Sequence, residues 1–419
     1  MRMKGSRSMA EIAREAEVSE QNMQHFMSQS PWSGRALIEQ VQQAVVERPE
    51  LQGGMLILDE SADEKSGDRS AGAGRQHNGR MGKVDEAQVG VYLAYAKQQS
   101  WTLWDGCLFL PEKWFGADAA GRRTKAEIPS ERFFQTKVEL GWQMIEHGQA
   151  HGLSFEAVAF DSLYGRSFWL RERCAQASIE YYADIPTNYQ LYRAAPVLEF
   201  ERNKHGLPSP KFTVVGQVAL KAADFATLPQ TVWEGITLRP TERGQLHVEF
   251  AHYPVWSVSS TGKVREETLL LKRESQGIRY SLTNAPHSTD LATLAARKCQ
   301  RYFVERSLQD AKSELGMADF QALKYRAWQH HLALTLLASW FIAETRLDWA
   351  KDFPPDPQLT QAYETDLLPA LSMSNVCELL RAALPLRQLS IQQAAALVVQ
   401  HLDNRTRSRR SRLRKHPDL

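Results

Sequence analysis

The chain has 419 residues, more than the roughly 150 to 250 over which a single hydrophobic core usually stops growing, so more than one structural unit is expected. Hydrophobic residues at 43% and charged residues at 24% are ordinary for a packed globular protein, which excludes a minimal module and points to an enzyme-sized fold. A formal net charge of +2 is too close to neutral for composition alone to announce a nucleic-acid binder, so the distribution of charge has to carry that question.

In chain order, residues 1–50 are predicted helical. Met9 to Met27 carries apolar residues at helical spacing around a break at Val18-Ser19, a pattern that suits a helix-turn-helix and equally a pair of amphipathic helices packed on a neighbour. Pro31-Trp32 marks a boundary. From Gly54 the period becomes strand-like, with runs at 55–61, 87–96, 101–110 and 156–165 and a helical stretch from Arg132 to His151. Three strands, a helix and a fourth apolar strand make an α/β arrangement in which the fourth strand lies beside the first. Residues ~195 to 285 are predicted as a β-rich insertion, with alternating segments separated by turn residues. Helix then resumes at Thr289 and is predicted to run through Leu315, followed by a long apolar helix from Tyr325 to Leu347. Smaller helices are expected at 361–383 and 390–402. The tail 401–419 crowds Arg405, Arg407, Arg409, Arg410, Arg412, Arg414 and Lys415 together, either as a phosphate-attracting segment or as a solvated, disordered one.

Cys107, Cys174, Cys299 and Cys377 have neither a zinc-ligand spacing nor the density of a disulfide framework, which suggests a reducing compartment. No stretch approaches the ~18 apolar residues of a membrane span, and the polar N-terminus has no apolar signal core, so a cytoplasmic location without membrane contact is expected.

Three carboxylates stand out. Asp59 ends the apolar run Met55-Leu56-Ile57-Leu58, and Asp161 ends Ala157-Val158-Ala159-Phe160. Ligands gather at the C-terminal edges of such strands, although either residue alone is also a plausible turn or cap aspartate. Glu305 follows Arg301 by four residues and precedes Lys312 by seven, so on one continuous helix the three share a face, joined by Lys298 seven residues before Glu305. That stripe is either a surface ion network or a metal ligand bordered by phosphate clamps.

These residues, with the block Gln24 to Trp32, Ser70 to Gly79, Gly82-Lys83, Leu110-Pro111, Trp114, Asp161 to Gly165, Ser281 to Asn284, Gly316 and Trp328 to Leu332, resemble the DDE-type insertion-sequence transposases whose last acid lies in a Tyr-Arg-Glu-Lys signature. The resemblance covers about Met9 to Leu347. It implies an α/β fold: a ribonuclease-H-like mixed sheet with a β-rich insertion domain, plus helical N-terminal and C-terminal regions. The implied division is 1–50 helical and DNA-binding, 51–194 the first part of the catalytic domain, 195–287 the insertion, 288–350 the second part, and 351–419 helical with the basic tail. Asp59, Asp161 and Glu305 are then the catalytic and metal-binding acids, holding two Mg2+ ions that Mn2+ can replace. Arg301, Lys312 and, more weakly, Lys298 are expected on phosphate. In the insertion Trp256, Tyr253 and Trp233 are each placed either on a flipped base or in a core. His77, His330 and His331 are expected to be structural. Partners are double-stranded DNA at element ends and target, with a homodimer formed on DNA.

Two departures from the family pattern bear on the site. The signature tyrosine position is Lys298, and the acidic pair and glycine usual after the first strand are Asp59-Glu60-Ser61-Ala62. Asp59 is taken as the ligand because it terminates the apolar run, and Glu60 belongs to the opposite face. The N-terminal region is short for the family, so its DNA-end recognition part is expected to be incomplete. The competing activities are a metal-dependent nuclease without strand transfer and a non-catalytic DNA-binding derivative.

Overall fold

The computed structural model describes residues 3, 7–78, 82–202, 208–241, 244–319, 322–352 and 372–383, with scattered positions between 390 and 410. Two helices open the chain, α1 (Met9–Glu15) and α2 (Glu20–Ser28), each started by a serine. Ser8 accepts from the Glu11 N–H and Ser19 from the Asn22 N–H, which satisfies donors that a helix start leaves unpaired. The break falls at 16–19, where the sequence places it. A third helix, α3 (Gly34–Val46), is capped in the same way by Ser33.

This N-terminal segment is fastened to a long helix, α10 (Tyr325–Asp352). Trp32 stacks on His330 with ring centroids 3.8 Å apart. The two His330 ring nitrogens lie 2.9 and 2.8 Å from the carbonyl oxygens of Met27 and Trp32. His331 meets the Met317 carbonyl at 3.0 Å. Both histidines are therefore structural, as expected, because their polar edges are spent on backbone groups that burial would otherwise leave unpaired.

The central sheet is built on β1 (Gly54–Glu64), whose Met55 to Leu58 run is buried on both faces. On one side it pairs antiparallel with β3 (Lys83–Lys97), which in turn carries β2 (Gly74–Asn78) and β4 (Ser100–Leu108). On the other side it pairs parallel with β5 (Phe155–Phe160), and β5 pairs parallel with β6 (Glu180–Ile185). Parallel neighbours need crossovers, and helices supply them. The crossover to β5 contains a short helix, α4 (Ala120–Lys125), and then α5 (Lys137–Ala150), whose Thr136/Glu139 capping box fixes its start. The crossover to β6 contains α6 (Ser162–Gly165) and α7 (Phe168–Gln176). Strand alternation then divides β1 between two cores. Leu56 and Leu58 pack with Leu140 and Ile145 of α5, while Ile57 joins Phe303, Val304 and Trp328 on the opposite face.

In the insertion region, β7 (Gln190–Leu191), a hairpin of β8 (Val197–Arg202) and β9 (Pro208–Val215), and β10 (Leu220–Lys221) lead into a meander: β11 (Glu234–Thr241), β12 (Gly244–Val258), β13 (Val264–Glu274) and β14 (Gly277–Thr283). The last strand pairs antiparallel with β6, Leu282 opposite Ala183. The sheet is consequently continuous in the order β11-β12-β13-β14-β6-β5-β1-β3-β2. A buried ion pair ties this extension to the crossover helix: Arg171 of α7 donates to Glu267 of β13 at 2.8 Å, both side chains fully enclosed. Tyr181 and Ser257 also donate to Glu267, and Arg171 reaches the Tyr189 hydroxyl and the Gly165 carbonyl.

Two more helices, α8 (Leu291–Cys299) and α9 (Tyr302–Glu314), precede α10, and α11 (Met373–Ala383) packs Met373, Val376 and Cys377 against Ile342 of α10. The four cysteines are free thiols. Residues 361–371 of the expected C-terminal helices and most of the basic tail lie outside the described residues. Of the tail cations, Arg407 is paired with Asp403 at 2.8 Å. No helix among the described residues is long and apolar enough to cross a membrane. The mixed sheet, its helical layers and the helical termini together match the expected α/β, ribonuclease-H-like class.

Candidate active site

Register places the acids. Leu58 is opposite Phe160 across the parallel β1–β5 pair, so the next residues, Asp59 and Asp161, sit side by side at the strand ends. Asp161 is also the N-cap of α6: its Oδ1 accepts from the Leu163 and Tyr164 N–H groups at 2.9 and 3.4 Å. Asp59 Oδ1 accepts from the Glu60 N–H at 2.8 Å. The turn after Asp161 is held close to the sheet. A Cβ on Gly165 would fall 1.9 Å from the Asp184 carbonyl oxygen, so only glycine permits this approach.

Glu305 arrives from α9, but the helix carrying it differs from the expected one. The helix resuming near residue 289 is interrupted at Gln300-Arg301, which separates α8 from α9. Both residues of the interruption keep right-handed helical backbone. The Lys298 side chain is only 7% exposed and ion-paired to Asp184 at 2.5 Å. The ammonium expected on a DNA phosphate is turned to the Asp184 carboxylate in this structure. Arg301 takes a central position, with Nε 3.0 Å from Asp184, Nη1 3.6 Å from Asp59 and Nη2 2.8 Å from Glu305. Glu305 is 57% exposed at the site's edge. Lys312, two turns further along α9, is half-buried.

Asp184 is the acid that sequence reasoning missed. Ala183 is opposite Phe160 across the β5–β6 pair, so Asp184 continues the row Asp59, Asp161. A signal was available: Tyr181-Tyr182-Ala183-Asp184 is a third apolar run ending in aspartate. Glu60 faces α5, as strand alternation requires, and Lys137 donates to it at 3.2 Å.

The electrostatics follow from crowding. Burial, and then the neighbouring Asp161, push Asp59 up to about 7 from 3.8, against the opposing pull of Arg301 and the Glu60 N–H. Burial and Glu60 likewise raise Asp161. Burial alone would raise Asp184, but Lys298 and Arg301 hold it below the ordinary range. The carboxylates without a full cationic partner are thus the two on β1 and β5. An all-oxygen donor set in this condition suits a hard divalent cation such as Mg2+ or Mn2+. Glu305 faces that pair across the Arg301 guanidinium, and the three acids do not form a closed cluster. Among the described residues, the set of ligand-type side chains mutually within 4.8 Å is instead Glu39, His147 and His151. It lies at the other end of α5, and Arg35 already contacts His147 there at 2.7 Å.

A pH dependence arises from Asp59. Between 3.8 and about 7 the folded chain retains a proton there that the unfolded chain has released. Stability in metal-free buffer should therefore fall as pH rises through this window, with a slope of at most roughly 1.4 kcal/mol per pH unit. The contribution is complete below the unfolded value and gone above the folded one. Denaturant titrations of Asp59→Asn should give a flatter profile than the wild type over this range; superimposable profiles would contradict the assignment.

In the β extension, Tyr253 and Trp233 are half-buried and pack against its core. Tyr253 meets Thr231 at 2.6 Å and Phe225 edge-on, and Trp233 lies beneath Arg273 at 4.1 Å. Trp256 is half-buried on β12, where its backbone bridges to Tyr192.

The chain is 28% identical over 155 residues to a protein of Microchaete diplosiphon named "Probable transposase for insertion sequence element IS701", an alignment spanning 36% of each chain. The chain thus matches little more than a third of that relative's length. The family profile described as "DDE superfamily endonuclease" matches residues 1–245, a stretch that carries Asp59 and Asp161 and ends before Glu305. Since that match covers more than half of its length, the chain belongs to the DDE superfamily of endonucleases.

Proposed function

We propose that this protein is a transposase that cuts DNA at the ends of a mobile element and joins the freed 3' hydroxyl to target DNA, with Asp59, Asp161 and Glu305 as its catalytic acids. The observation that carries the reading is the pairing of Asp59 and Asp161 at adjacent strand ends, with Arg301 linking Asp59 to Glu305. Both steps are in-line displacements at phosphorus that develop negative charge on the attacking and leaving oxygens. Two Mg2+ ions, replaceable by Mn2+, would stabilise those oxygens and activate the nucleophile.

The chain's own groups divide the remaining work. Asp59 sheds the proton that burial favours and presents its carboxylate between the strands. Asp161 spends Oδ1 on the α6 N–H groups, which fixes the direction of Oδ2. Glu305 supplies the acid on the outer side. Arg301 and Lys312 neutralise phosphates next to the cut, and Trp256 stacks on an unpaired base. The helices α1 and α2 contact the element end, and two copies of the chain pair two ends. The proposed boundaries are 1–50 for end recognition, 51–194 and 288–350 for catalysis, 195–287 for the insertion and 351–419 for the C-terminal region.

The test is incubation of the purified chain with duplex DNA carrying the element's terminal repeats and a target plasmid in Mg2+. Cleaved ends together with joined products are expected. Cleavage without joining would indicate a nuclease, and binding without cleavage a non-catalytic DNA-binding protein.

A further inference from the structure

We infer that Asp184 is a fourth functional carboxylate of this centre, a positioning residue that holds Arg301 and Lys298 and keeps their charge from competing for Asp59. The inference rests on the metal-binding role proposed for Asp59, Asp161 and Glu305. Three observations carry it. Strand register aligns Asp184 with Asp161 and Asp59 in one row. Asp184 receives Lys298 at 2.5 Å, Arg301 Nε at 3.0 Å and the Ser281 hydroxyl at 2.6 Å. Meanwhile Arg301 stands off from Asp59 at 3.6 Å, too far for a hydrogen bond, although it closes on Glu305 at 2.8 Å.

The physical argument is one of competition. A guanidinium and a divalent cation seek the same carboxylate oxygens, and in a partly enclosed site the stronger claim excludes the other. Asp184 engages the Nε of Arg301 through one carboxylate oxygen and the ammonium of Lys298 through the other. The guanidinium is thereby held where it can steer Glu305 without closing on Asp59. Removing the Asp184 charge leaves two cations with one fewer anion beside the metal-binding acids. Removing the Lys298 charge does the reverse. The two substitutions should consequently move metal affinity in opposite directions, which a purely structural contact would not produce.

The experiment measures Mn2+ binding to the full-length protein by electron paramagnetic resonance, with thermal melting alongside. Asp184→Asn is expected to weaken Mn2+ binding roughly tenfold, Lys298→Met to tighten it by about threefold, and the double variant to return within about threefold of the wild type. Unchanged affinity in Asp184→Asn, or a loss that Lys298→Met does not recover, overturns the inference while leaving the proposed catalytic acids intact. If Asp184→Asn does not fold, the Lys298→Met result decides: tighter binding supports the inference, and equal or weaker binding overturns it. A wild-type protein that binds no Mn2+ overturns the proposed function, and this inference with it.

Discussion

Asp161→Asn is expected to lower DNA cleavage by about 10³-fold or more while leaving binding to element ends and thermal stability near wild-type values. The metal-stabilised charge lost at such a site is worth several kcal/mol, and each ~1.4 kcal/mol is a factor of ten in rate. The fold should survive because the amide oxygen can still cap α6 through the Leu163 and Tyr164 N–H groups. Loss of a negative charge beside Asp59 should, if anything, ease the crowding that pushes Asp59 up. Single-turnover cleavage in Mg2+ and a metal-free binding assay separate the two effects. Cleavage within tenfold of wild type would remove Asp161 from the catalytic set.

The second large effect concerns stability. Arg171→Met should destabilise the protein by about 3 to 5 kcal/mol, because it leaves the enclosed Glu267 carboxyl group without its cation. The double variant Arg171→Met with Glu267→Leu should recover much of that loss, since a buried ion pair costs about as much in desolvation as it returns in attraction. Arg171 also donates to the Gly165 carbonyl in the turn that follows Asp161. The double variant is therefore expected to regain stability more fully than cleavage activity. Denaturant unfolding and cleavage rates measured on the same preparations check this, and equal recovery of both would show that the strut does nothing for the site.

Much of this organisation was legible in residue order. The apolar runs ending in Asp59 and Asp161 identify buried strands because their period and length leave little alternative, and neighbouring strands bring their ends together. The helical spacing from Met9 to Met27 and the strand-rich stretch after 195 are equally plain. Pairing between distant strands was not. Nothing local in Gly277–Thr283 specifies β6 as its neighbour, so the merging of the β-rich stretch into the central sheet emerges only in three dimensions. Lys298 shows the limit of periodicity: spacing places it near Arg301 but does not say that both cations meet the same buried carboxylate, Asp184. Asp184 escaped notice because its run is short and two tyrosines stand where aliphatic residues stand in the other two.

The most direct measurement is anomalous diffraction from crystals of the protein bound to an element-end duplex in Mn2+. The account predicts manganese peaks bounded by Asp59, Asp161 and Glu305, with Arg301 still held by Asp184. Manganese bound instead at Glu39, His147 and His151, with none at the strand ends in the presence of DNA, would contradict it.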